Sequence, residues 1–291
     1  MKIKFLLFAA ILGFSFVANA DNITKNYDLR FDGIEVSNKF EIQLMKADQH
    51  SVTIDVDSEY APYLSVTTES GILKVKFKKL PVKMKMSKSK FRMTVRTPMI
   101  NFIDISDACT LICRDEFTLG MNNFRVSASG SSEIRDLRVN SVDAAVSVTG
   151  ASKVVLDGQF SDLEIKIDGA SKVTYNGSCS DLDAEVYASS ELKVTGGMDD
   201  VDINVRGASK VEMMGHGTVL EVEVGGASKF NGTEFAVETA DVVAKGASSV
   251  TVNASEALKA TISGASSCKY KEYEGLRVNP SVDGHGTFKT L

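Results

Sequence analysis

Between Lys74 and Arg96 the chain carries ten basic residues and no acidic one: Lys74, Lys76, Lys78, Lys79, Lys83, Lys85, Lys88, Lys90, Arg92 and Arg96. They alternate with Val75, Phe77, Val82, Met84, Met86 and Phe91, so one side of this stretch is cationic and the other apolar. Two chemistries fit the pattern. Lysines on a pair of edge strands keep other chains from pairing there. Alternatively, the same charges bind a polyanion, either acidic polysaccharide or lipid headgroups, with Lys83, Lys85, Lys88, Lys90 and Arg92 as the contacts.

Nucleophiles and metal ligands are the other chemistry to weigh. Serine recurs at 132, 152, 171, 190, 209, 228, 248 and 266, and a residue repeated this regularly is structural, its hydroxyl free to satisfy backbone amides at a turn. Cys109, Cys113, Cys179 and Cys268 are even in number, which invites disulfides in an exported protein. Yet the first two flank strand residues Thr110 to Ile112 and so lie roughly 13 Å apart, beyond disulfide reach. Free, mostly buried thiols are expected. The sequence has no C-x-x-C pair for zinc, its three histidines (His50, His216, His285) are scattered, and Gly196-Gly197-Met198-Asp199-Asp200 breaks the repeated calcium-loop pattern. No catalytic residue, cofactor or metal is therefore expected.

The elements that place these residues follow from a repeated phrase. Gly-Ala-Ser-Lys begins at 150, 169, 207 and 226, and worn copies begin at Asp107, Gly130, Ala188, Gly246, Gly264 and Gly284, so successive starts lie 18–23 residues apart. That period marks a solenoid, in which a single rung cannot bury its own apolar side. Four places after each start stand Leu111, Ile134, Val154, Val173, Leu192, Val211, Phe230, Val250, Cys268 and Phe288, an interior ladder. Before the glycine, runs such as Leu163, Ile165 and Ile167 alternate with polar residues, as in a strand buried on one face. The intervening column of Lys153, Lys172, Glu191, Lys210 and Lys229 must face water, because four lysines could not sit in a dry core. A second break in each rung, such as Asp157-Gly158 or Asn176-Gly177, is attributed to positive φ; Ala188 makes a left-handed corner at every rung doubtful. The expected fold is all-β: a right-handed parallel β-helix-like solenoid of about ten rungs, with an N-terminal β cap.

Taken in order, residues 1–20 read as a signal peptide: Lys2 and Lys4, the apolar run Phe5 to Val17, then Ala18-Asn19-Ala20. Residues 21–98 show alternating apolar positions without the repeat, and read as a β cap or small β domain. Residues 99–291 read as the solenoid. No cysteine of a lipoprotein anchor, later membrane helix or C-terminal sorting segment is evident. After cleavage 31 basic residues face 38 acidic ones, which argues against nucleic acid as a partner.

Three features together, Ile34-x-Val36-x-Asn38, Val95-Arg96-Thr97-Pro98 and the repeated Gly-Ala-Ser-Lys turns, resemble the DUF2807 family, the autotransporter adhesin head GIN domain common in Bacteroidetes. The resemblance implies an exported β-solenoid and supplies no functional residues. Expected is a non-enzymatic, adhesin-like binding or structural protein of the bacterial envelope, in the periplasm or at the cell surface, with a glycan or protein as partner. The alternative is a polysaccharide lyase or hydrolase on a β-helix, disfavoured by the absence of tryptophan platforms and of a clustered acid–base set.

Overall fold

The computed structural model describes residues 18, 19, 22–84, 86, 89 and 91–291; the signal-peptide reading lies almost entirely outside them. The chain forms a β-solenoid of about ten turns whose strands stack in parallel. Corner sits on corner: the backbone amides of Ala170, Ala208 and Ala227 donate to the carbonyls of Gly150, Ala188 and Gly207 at 2.7–2.8 Å. Lys153, Lys172, Glu191, Lys210 and Lys229 are in register. So are Val154, Val173, Leu192, Val211 and Phe230, all buried. The lysine column faces outward, where Lys172 and Glu191 pair at 3.2 Å and relieve like-charge repulsion.

The serine column turns inward and is buried throughout. Five of the hydroxyls accept from the rung before: the amides of Cys109, Ser132, Ser152, Ser190 and Ser209 donate to Oγ of Ser132, Ser152, Ser171, Ser209 and Ser228. These are the buried donors that a tight corner would otherwise leave unpaired.

Two local expectations change. Ala188 does adopt the left-handed corner, with φ 63°, as do Asn38 and Asp107 at 78° and 58°. The rungs above and below hold it there. The glycines of the second break are explained differently: Gly158 and Gly177 are not left-handed. A Cβ on Gly177 would lie 1.8 Å from the Gly158 carbonyl oxygen, and one on Gly196 would lie 1.6 Å from that of Gly177. Close approach of the preceding rung demands glycine at Gly158 and Gly177, while Gly196 and Gly215, at φ 146° and 129°, carry the expected positive dihedral as well.

Parallel stacking does not begin at residue 99. Gly33–Val36 and Phe40–Lys46 form a rung of their own around Ser37-Asn38-Lys39, pairing in parallel with Phe102–Ile105 and Thr110–Cys113 on one side. On the other side they pair in parallel with Ile72–Phe77 and Phe91–Thr97. The chain lays down this rung, adds the next one on the cap side, then crosses back past the first. Beyond that second rung in space, antiparallel strands close the end: Leu64–Glu69 on Ile72–Phe77, and Ser51–Asp57 on Phe91–Thr97. Tyr60, Phe77 and Phe91 fill this end with ring centroids 4.7–5.9 Å apart.

Candidate functional site

The edge-strand account of the basic stretch does not hold, because Ile72–Phe77 and Phe91–Thr97 each have a strand on both sides. The structure instead distributes these charges. Lys74 lies on the outer face between Glu35 and Glu69, at 3.6 and 3.0 Å, and the Glu69 hydrogen bond is the first cause holding its ammonium above the ordinary lysine range. Lys78, Lys79 and Lys83 project from an exposed loop. Lys85, Lys88 and Lys90 lie outside the described residues. Among the described candidates, Arg92 is the one that lines a groove.

That groove, about 690 Å³, runs across the outer face of Phe91–Thr97, Phe40–Lys46 and Thr110–Cys113. Arg92, Arg114 and Arg135 line it together with Glu41, Gln43 and Thr94. Strand register explains the convergence: Arg92 stands beside Glu41, Glu41 beside Thr110, and Arg135 beside Ile112. A β-bulge between Ile134 and Leu137, with Asp136 left-handed at φ 56°, bends the last of these strands. Each guanidinium keeps a loose carboxylate neighbour. Arg92 and Glu41 are 3.7 Å apart, Arg114 and Asp136 3.9 Å, and Arg135 pairs with Glu133, whose carboxyl it holds below the usual range. Exposed pairs of this kind contribute about 0–1 kcal/mol each, so an incoming anion can displace them at little cost.

All four thiols are free and buried. Burial pushes Cys109 and Cys113 up to about 11 and Cys179 and Cys268 up to about 12, so none supplies a thiolate near neutrality. His50 Nε2 is bound to the Phe31 carbonyl at 2.8 Å. Among the described residues, no three His, Cys, Asp or Glu side chains converge to hold a metal, and no helix is long and apolar enough to cross a membrane.

With the architecture established, comparison with known proteins is decisive on kinship. The family model described as "DUF2807: Putative auto-transporter adhesin, head GIN domain" matches residues 30–217 and 170–272. The chain belongs to the DUF2807 family. No curated protein matches it. A crystal structure of a putative adhesin from Parabacteroides distasonis shares the fold at 16% identity and TM-score 0.51, covering 93% of this chain and 97% of that one. A putative adhesin from Parabacteroides merdae does so at 19% identity and TM-score 0.50, covering 94% and 97%. The DUF2807 match includes both the worn rungs that build the arginine groove and the regular ones beyond.

Arg114 and Arg135 escaped the sequence reading. Both sit in worn repeats outside the lysine column, one just after Cys113 and the other beside the bulge. Aligning Phe40–Lys46 as a rung would have placed Arg92 and Glu41 in the outward column of the lysines.

Proposed function

We propose that this protein is an exported, non-enzymatic, adhesin-like binding protein of the bacterial envelope, and that it holds carboxylate- or sulfate-bearing glycan in the arginine groove. The observation carrying this reading is the meeting of Arg92, Arg114 and Arg135, from three separate strands or their ends, around one open trough. Planar guanidinium forks match carboxylate and sulfate oxygens, and an outer sheet face suits an extended chain better than a compact metabolite. The family description and the names of the similar structures also point to adhesion.

The test incubates the protein with polygalacturonate, alginate and heparin, reading bound fraction and released chain ends together. Binding without new ends is expected. The double variant R92Q/R135Q should weaken binding about 10- to 100-fold, since each lost charge-assisted bond contributes roughly 1.5–3 kcal/mol, partly offset by the freed acids. If neutralising Lys83, Lys85, Lys88 and Lys90 abolishes binding while R92Q/R135Q leaves it intact, the site is the loop and not the groove. Accumulating chain ends would favour the lyase or hydrolase alternative.

A further inference from the structure

A second trough, about 420 Å³, lies on a different strand stack, that of Phe102–Ile105, Phe124–Ala128, Asp143–Val148 and Asp162–Ile167, and has a different composition. Phe102, Asn101, Asn123, Arg125 and the carboxylates of Asp143 and Glu164 line it. Phe102 is a partly exposed aromatic ring in a column that otherwise continues as Arg125, Ala145, Glu164 and Asp183. Gly33, its in-register neighbour on the adjacent strand, leaves room beside it. A Cβ on Gly33 would come within 3.0 Å of the Phe102 Cβ and 3.2 Å of its Cδ1, so a larger residue at position 33 would crowd the ring. Ala145, between Arg125 and Glu164, is short enough to leave the hollow open. Asn101 is anchored through its amide nitrogen to Asp32 Oδ2 at 3.3 Å and through its backbone to the Asp32 carbonyl at 2.7 Å, which leaves its side-chain oxygen as an acceptor. Among the described residues Arg125 has no ion pair, so its fork is available.

An aromatic ring beside planar amides, one guanidinium and carboxylates is suited to a pyranose. The C–H face of a sugar packs on the ring, while neighbouring hydroxyls take up bidentate donors and acceptors. The charge balance selects among sugars. Asp143, Asp162 and Glu164 outnumber Arg125, and hydrogen bonding to Asp181 with repulsion from Asp143 already pushes the Asp162 carboxyl above its ordinary range. A uronic acid or sulfated residue would add to that repulsion. We infer that this trough is a second binding site, for a neutral sugar residue of a polysaccharide, centred on Phe102.

The inference borrows only the ligand class from the glycan-binding reading, and the two fail separately because the probes differ in charge and the variants lie on different strand stacks. Calorimetry is run with cellohexaose, maltohexaose, mannohexaose, xylohexaose and N-acetylchitohexaose on wild type, F102L, N123A and R92Q/R135Q, with melting curves to confirm that each variant folds. At least one neutral hexasaccharide should bind. Its affinity should fall about three- to tenfold in F102L, which keeps the bulk but loses the aromatic face. N123A should also weaken it, and R92Q/R135Q should leave it unchanged. Absence of binding across the neutral panel, binding indifferent to F102L and N123A, or displacement of the sugar by polygalacturonate would each overturn the assignment.

Discussion

Gly177→Ala would measure how tightly the rungs are stacked. In ordinary strands this exchange is mild or favourable, because alanine restricts the unfolded chain and gains about 0.4–1 kcal/mol. Gly177 has no left-handed φ to lose, so dihedral strain does not enter. What enters is a carbonyl: the new Cβ would lie 1.8 Å from the Gly158 oxygen, where real contacts essentially never fall below 3.0 Å. The rung must therefore move by about 1.2 Å, within strands whose partners on both sides hold them in parallel register. Overpacking of this kind costs about 1–3 kcal/mol, and two weakened ladder hydrogen bonds add about 1–3 kcal/mol. After the entropic gain, a net loss of about 3 kcal/mol is expected. Gly225→Ala is the matched control: its nearest atom would be Arg206 Cγ at 3.9 Å, and its φ is not left-handed. Urea titration by circular dichroism should move the G177A midpoint down by about 1 M, and leave G225A level or slightly raised. Equal midpoints for the two variants would refute the close-approach account.

Two further perturbations probe the column chemistry and the charge pattern. Ser209→Ala removes the acceptor for the Ser190 amide and the donor to the Arg206 carbonyl, both in a buried corner, and should cost about 1–3 kcal/mol, whereas exposed Lys210→Ala should stay within about 0.5 kcal/mol by the same urea titration. Asp162 is raised chiefly by hydrogen bonding to Asp181, and Asp202 and Asp104 chiefly by desolvation, so their folded pKa values exceed their unfolded ones. Stability from their protonation is full below the ordinary aspartate range and is lost as pH rises through the raised values. At constant ionic strength the melting temperature should therefore increase on mild acidification from neutrality, less so in D162N/D202N; an undiminished increase in that variant would assign the effect elsewhere.

The interior ladder, the outward lysines and the buried serines were legible because each is a column, and a column repeats in the sequence as it does in space. Val154, Val173 and Leu192 illustrate this. The rung at Gly33–Lys46 was hidden for a topological reason: its neighbours at Phe91 and Thr110 arrive some fifty to seventy residues later, so no short-range period announces it. The edge-strand reading of the basic stretch failed for the same reason, since Gly33–Val36, Phe40–Lys46 and Ser51–Asp57, which cover the second edges of Ile72–Phe77 and Phe91–Thr97, come from far earlier in the chain. At Gly177 the residue type was read correctly as a constraint but given the wrong cause, because the obstructing carbonyl belongs to another rung.

This bears on where binding can reside. A rung copied faithfully places the same side chain at each step of about 4.8 Å, which makes stripes of one chemistry and no hollow. The lysine column from Lys153 to Lys229 is such a stripe. A pocket needs unlike groups converging and some side chain missing, so it requires departures from the repeat. Both troughs include such departures: the bulge after Ile134 beside Arg135, and Phe102, Arg125 and Ala145 in a column that then turns acidic. Restoring the repeat should therefore erase a site while stabilising the rod. Deleting Asp136 to remove the bulge is expected to hold or raise the urea midpoint yet weaken acidic-glycan binding by at least the loss seen in R92Q/R135Q. A regularised rung that still bound as wild type would separate the groove from the irregularity that shapes it.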